Sequence, residues 1–424
     1  MYKLQSLATG AIFEDTGWLL DAPGENVPGL IRAIYPEQQI HLKGAEYGIY
    51  TFADWLPIHR TLKGSSAPVT YKSEGLAKAL GLSNLYITLN GWWPERNAYN
   101  LTCSFKETEA YSVCARLDEN TDKILVVASA GNTARAFAKV CSDNHIPLLL
   151  CVPEDCLAAM WFDSPLNECV KLVSTRSGSD YFDAINLSNL AAQLEGFITE
   201  GGAKNVARRD GMGTTMLSAT TFIGRIPDYY FQAVGSGTGG IAAWEAILRL
   251  IQDGRFGKHK AKLMLSQNKP FHPMYDAWKA GSRALLPMSD DECRHKIEKI
   301  NAKVLSNRRP PYSMAGGLFD ALTDTNGEFF IASNEEALAA ARLFEETEGN
   351  DIHPAAAVAT ASLINAVKEN KVEKDAVIML NITGCGEGRF KREHQLFMLK
   401  PSIIFDFSPS MDEVSAKIPA LFKK

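Results

Sequence analysis

Three short stretches carry residue types that do chemistry. Lys106 stands in "CSFKETEAYSV" (103–113), between a Ser-Phe pair and a glutamate, at the head of an expected helix. A lysine in a helical first turn is ordinarily a solvated charge. Buried beside cations, the same amine becomes a nucleophile or a base, since a free lysine at pKa ~10.4 is a poor base near neutrality. The second stretch, "ASAGNTAR" (128–135), follows a strand-like run and opens a helix, with Gly131 to turn the chain and Asn132 or Thr133 as cap. Helix N-termini present unpaired N–H groups and a positive dipole, which suit a carboxylate. The third, "GSGTGG" (235–240), again lies between strand and helix. Gly235, Gly237, Gly239 and Gly240, with Ser236 and Thr238 between them, allow close backbone approach and direct several amides at one anion, such as a phosphate.

The glycine loop also satisfies G-x-G-x-x-G through Gly235, Gly237 and Gly240, so an NAD-linked dehydrogenase competes. That fingerprint expects an acid at the end of the next strand. Here the strand ends in Gln267-Asn268-Lys269, and Asp253 precedes it.

Alternation of short apolar runs and helical periodicity must position these loops. Strands are expected at 85–89, 124–129, 147–153, 229–235, 261–267 and 376–384. Helices are expected at 132–144, 241–254, 336–349 and 355–370. The fold class is α/β, with open, mostly parallel sheets covered on both faces. A chain of 424 residues exceeds one compact core. The expected division is an N-terminal segment with the first part of a large domain (1–100), a smaller domain holding Lys106 and the Asn loop (101–213), and the rest of the large domain (214–424). "EGGAKNVARRDGMGTTM" (200–216) reads as an irregular crossing between them. "NRRPPYSMAGG" (307–317) reads as a long functional loop.

Bulk properties narrow the classes. The net charge of −5, with 22% charged and 46% hydrophobic residues, gives no reason to expect nucleic acid or an anionic membrane as partner. No apolar run reaches membrane-spanning length and no leader pattern opens the chain, so a cytoplasmic protein is expected. The eight cysteines form no CxxC pair, so no metal site is expected.

A lysine, an Asn loop, a glycine loop and a late "ITG" strand end occur in this order. That order resembles the fold-type II pyridoxal-phosphate enzymes, the tryptophan synthase β superfamily, with a large domain and a smaller movable one. "LGLSNLYITLNGWWPERNAYNLTCSFKE" (80–107) is similar to the threonine synthase approach to its lysine, and "EEALAAARLFEETEGNDIHPAAAVATASL" (335–363) resembles a helix of that branch. The likeness spans about residues 64 to 390. Threonine synthases usually continue Ser-Phe-Lys with Asp-Arg-Gly. Here Glu107-Thr108-Glu109 follows, Cys385 stands where a histidine is common, and residues 1–35 hold no cysteine. The whole chain looks most like the cysteate synthase family.

The resemblance implies a PLP-dependent β-replacement, in which sulfite displaces the phosphate of O-phospho-L-serine through an aminoacrylate, giving L-cysteate for coenzyme M. Threonine synthesis from phosphohomoserine is the runner-up. By the same resemblance Lys106 binds the cofactor and moves the α-proton. Asn132 donates to the ring oxygen, residues 235–240 hold the phosphate, and Thr383 faces the pyridine nitrogen. Ser129, Ala130, Gly131 and Thr133 receive the substrate carboxylate, and a homo-oligomer is implied. Arg135 is the preferred cation for the oxyanions, ahead of Lys72, Lys204, Arg208, Arg209, Arg308, Arg309, Arg389, Lys391 and Arg392.

Overall fold

A computed structural model describes residues 2–423. Its larger sheet runs Glu328–Ala332, Lys262–Asn268, Tyr229–Ala233, Val377–Cys385, Asn84–Trp93 and Val69–Lys72. These strands are parallel except the antiparallel edge strand Val69–Lys72, and Ala98–Tyr99 pairs with the far end of Asn84–Trp93. A second, wholly parallel sheet runs Phe197–Thr199, Ile124–Ala128, Leu148–Pro153, Val170–Thr175 and Ile403–Phe405. Helices cover the sheets, which is why central strands such as "LLLCVP" are apolar throughout and fully buried. Three short strands, Lys3–Ser6, Ile12–Glu14 and Ile31–Ile34, form a separate antiparallel sheet. No helix among the described residues is long and apolar enough to cross a membrane.

Two sequence expectations need correction. Residues 200–216 are not an irregular crossing. Asn205 caps a helix at Val206–Ile223 by accepting the Ala207 N–H at 3.0 Å, and most of that helix is buried. Its glycines serve packing. A Cβ on Gly211 would lie 2.4 Å from the Thr108 carbonyl oxygen, so the bare backbone lets this helix press against Lys106–Arg116. The expected domain boundary at 213/214 therefore falls inside one continuous helix.

The segment 214–424 is also not confined to the large domain. Ile403–Phe405 pairs with Val170–Thr175 as the edge of the smaller sheet. Val414 and Ile418 then pack in the same apolar cluster as Ala184 and Leu187. The return covers a parallel edge whose N–H and C=O groups would otherwise stay unpaired.

Gly211→Val is expected to destabilise the fold by about 3 kcal/mol through this overpacking, despite the helix-propensity gain of leaving glycine. The urea midpoint checks it. A midpoint equal to that of the native chain would mean the two helices can separate freely.

Candidate active site

Lys106 is the first residue of the helix Lys106–Arg116, after Phe105 at its N-cap. The Phe105 N–H donates to Thr383 O at 2.9 Å, which fastens the helix start to the end of strand Val377–Cys385. The Lys106 side chain is 21% exposed, and its Nζ donates to Glu109 Oε2 at 3.1 Å. Glu109 is wholly buried and takes two further donors on Oε1: Arg208 Nη2 at 2.7 Å and Thr133 Oγ1 at 3.1 Å. Arg208 also pairs with Glu200 at 3.2 Å. Burial pushes the Lys106 amine below its ordinary pKa, Glu109 pulls the other way, and Arg208 adds to the lowering. Glu107 turns aside, accepting the Thr102 N–H and hydroxyl at 2.5 and 2.8 Å.

Lys106 borders a cavity of about 690 Å³ whose walls come from both large sheets. Ser129, Ala130, Gly131, Asn132 and Thr133 form one wall, at the start of helix Asn132–Asp143. The N-cap there is Gly131, at φ +150°, without a side-chain cap. Asn132 and Thr133 are thus not the capping residues that the sequence suggested. The Thr133 hydroxyl is spent on Glu109, while Ser129 Oγ accepts the Gly131 N–H at 3.1 Å.

Arg135 does not face the cavity. It is 1% exposed and lies behind the loop. Its guanidinium donates to Thr102 O, Ala159 O and Asn132 Oδ1 at 3.0, 2.9 and 3.0 Å, and covers the Trp161 ring at 4.1 Å. The guanidinium is taken up instead by carbonyls of two other segments, the turn before Lys106 and the stretch Glu154–Ala159.

The opposite wall is the glycine loop, from Gly235 to Gly239, at the N-terminus of helix Thr238–Asp253. Ser236 Oγ and Thr238 Oγ1 lie 2.7 Å apart. Gly240 is not part of this wall, contrary to expectation. A Cβ there would approach Leu265 Cδ1 at 2.9 Å, so its role is packing. Packing also excludes a side chain at Gly235, where a Cβ would stand 2.7 Å from Val304 O. Thr383 completes this side, and its hydroxyl makes no hydrogen bond to protein among the described residues.

Of the cations named from the sequence, Lys204, Arg208 and Arg309 border the cavity. Lys204 pairs with Asp21 at 2.8 Å. Arg209 is buried against Glu245 at 2.9 Å, Arg308 holds Asp180 at 2.6 Å, and Arg389 holds Glu95 at 2.6 Å. Lys391 holds Glu387 at 2.6 Å, and Lys72 lies against Asn84 and Tyr86. The loop 307–317 does reach the site, through Asn307, Arg309, Pro310, Pro311 and Met314.

Sequence reasoning missed His353, Tyr181 and Glu200, which also line the cavity. His353 precedes Pro354 as the N-cap of a helix, and its Nε2 lies 2.9 Å from Glu387 Oε2. The His-Pro pair at a helix start was the available signal. Glu109 was missed as a partner of Lys106 as well, although residues i and i+3 share a helix face.

A family model described as pyridoxal-phosphate dependent enzyme matches residues 71–384. A cysteate synthase from Methanosarcina mazei is 50% identical over 392 residues, 92% of this chain and 94% of that protein. One from Methanospirillum hungatei is 46% identical over 417 residues, 98% of this chain and 97% of that protein. Among solved structures, maize serine racemase superposes with a TM-score of 0.56 at 14% identity, over 75% of this chain and 87% of that one. A hydrogen sulfide-producing enzyme from Fusobacterium nucleatum gives 0.52 at 15%, over 77% and 97%. At such identities the structural likeness speaks for the fold alone.

Proposed function

This chain belongs to the cysteate synthases within the pyridoxal-phosphate-dependent enzymes, and on that premise we propose that it replaces the phosphate of O-phospho-L-serine with sulfite to form L-cysteate. The observation that carries the reading is a half-buried lysine amine bordering a cavity that two helix N-termini also enter.

Pyridoxal phosphate fits this donor set. Lys106 offers the amine for the aldehyde, the first turn of helix Thr238–Asp253 with Ser236 and Thr238 offers donors for the phosphate, and Asn132 and Thr383 remain for the ring. When bound, the cofactor supplies the electron sink that lets the α-proton leave and the phosphate depart from Cβ. The chain does the rest. The Lys106 amine takes the α-proton, and burial favours the neutral amine that this requires. The turn from Ser129 to Thr133 receives the substrate carboxylate at a positive helix end. Thr383 brings a hydroxyl, not a carboxylate, and a ring nitrogen placed beside it would not be held protonated by that side chain. Phosphate and sulfite are both multiply charged, and Lys204, Arg208 and Arg309 supply cations at the cavity. The Arg309 guanidinium lies over the Phe182 ring at 5.0 Å and borders the cavity, where it can meet an oxyanion.

Neither alternative is favoured. The relatives reported above are cysteate synthases, and Glu109 stands where threonine synthases usually have glycine. The nicotinamide reading still lacks its acid: Gln267 Oε1 instead accepts the N–H groups of Met274 and Tyr275 at 3.0 and 3.1 Å. On family likeness alone we also infer a cytoplasmic homo-oligomer acting on small molecules.

Phosphate release by the cofactor-loaded chain tests the proposal. With sulfite present, kcat/KM for phosphoserine is expected to exceed that for phosphohomoserine by about tenfold or more, the discrimination one methylene allows. A preference for phosphohomoserine, or release independent of sulfite with no cysteate formed, sinks it.

A further inference from the structure

Glu109 is a buried carboxylate that the proposed reaction leaves unused. It sits one helical turn beyond Lys106 and binds the amine of Lys106, the guanidinium of Arg208 and the hydroxyl of Thr133. One side chain thus ties the lysine, a cavity cation and the anion-binding turn together. Burying ions is costly, and a small or apolar residue would pack this position more cheaply.

We propose that Glu109 is a positioning residue: its carboxylate receives the Lys106 amine whenever that amine is free, fixes its direction and sets the pH at which it loses its proton. The inference rests on Lys106 being the cofactor lysine. The lysine must be neutral to bond the cofactor or take a proton, and cationic after taking one. Two opposed influences place it between these demands. Burial and Arg208 favour the neutral amine; Glu109 and, more weakly, Glu200 favour the ammonium. Arg208 shares the Glu109 carboxylate, so it tempers that pull directly and by competition. Tyr181, at the start of helix Tyr181–Ala191, faces Arg208, Glu200 and Glu109, and Lys204, Arg309 and His353 border the same cavity. Glu107 is turned to Thr102.

The signs follow. Removing the charge of Glu109 leaves burial and Arg208 opposed only by the weaker pull of Glu200, so the lysine pKa falls. Removing Arg208 takes away a neighbouring cation and leaves the carboxylate to the lysine and the Thr133 hydroxyl, so the pKa rises.

The full chain, freed of cofactor, is treated with a limiting dose of acetic anhydride across pH, and the Lys106 peptide is quantified by mass spectrometry. Glu109→Gln is expected to lower the midpoint of Lys106 acylation by about one unit or more. Arg208→Met is expected to raise it. The pH profile of kcat in the loaded enzymes should move in the same two directions. Midpoints equal to that of the native chain, or both moving one way, overturn the proposal. If Glu109→Gln fails to fold, the direction taken by Arg208→Met decides. Borohydride reduction of the loaded native chain, followed by peptide mapping, tests the premise separately. Cofactor fixed to another lysine refutes the assignment of Lys106, while the two midpoints still report whether Glu109 governs its titration.

Discussion

Lys106→Ala is expected to lower turnover at least about a thousandfold and to erase the visible absorbance of the loaded protein, with the fold intact. The loss is chemical because the side chain contributes little to stability. It is partly exposed, and alanine is the better helix former at that position. Its buried partner is not orphaned either: Glu109 keeps Arg208 and Thr133 as donors. The variant should therefore unfold within about 1 kcal/mol of the native chain while losing the bond that holds the cofactor. Absorbance of the reconstituted protein, phosphate release and a urea melt separate these effects. An unchanged visible band in the variant would place the cofactor on another lysine. A collapsed melt would mean that the lysine is structural.

The strands that carry the site were legible because parallel strands buried on both faces are apolar without interruption, as "ILVVA" and "LLLCVP" show. The two loops were legible because each stands between such a run and a helical period. What stayed hidden depends on neighbours far along the chain. Helix Val206–Ile223 reads as a loop because its two glycines lower its propensity, and only the helices packed against it, at Thr108 and Ala242, show why they are needed. The return of Ile403–Phe405 to the smaller sheet leaves no local mark, since an edge strand of three residues has too little period to read. Gly240 looks like Gly237 in sequence, yet one meets Leu265 and the other borders the cavity. Arg135 lies three residues past Asn132, close enough to suggest the same ligand, but its direction depends on carbonyls at 102 and 159.

That direction gives Arg135 a different and larger consequence than oxyanion binding. Arg135→Met keeps an unbranched apolar stem but removes every donor and the guanidinium that covers Trp161. Thr102 O and Ala159 O then lose their partner inside the protein, and Glu387 retains only His353 and Lys391. The Glu387 carboxyl is buried enough to favour protonation, yet His353 and Arg135 together hold it well below the usual carboxylate range. Deleting one partner of a buried ion pair typically costs about 3–5 kcal/mol, and a loss near the lower end is expected because Glu387 keeps the Lys391 ammonium and the His353 ring beside it. A second effect accompanies the first. Arg135 Nη2 donates to Asn132 Oδ1, which turns the amide so that its NH₂ end is left for a ligand. Without that donor the amide can rotate, and cofactor affinity should fall about tenfold, the worth of one hydrogen bond of ~1.4 kcal/mol. Arg135→Lys should recover little of either, because an ammonium cannot reach two carbonyls, an amide and a carboxylate from one plane. A urea melt reads the first effect, and titration of the cofactor-free chain with pyridoxal phosphate reads the second. A variant with the native urea midpoint but poor use of sulfite would return Arg135 to the cavity and overturn this placement of its guanidinium.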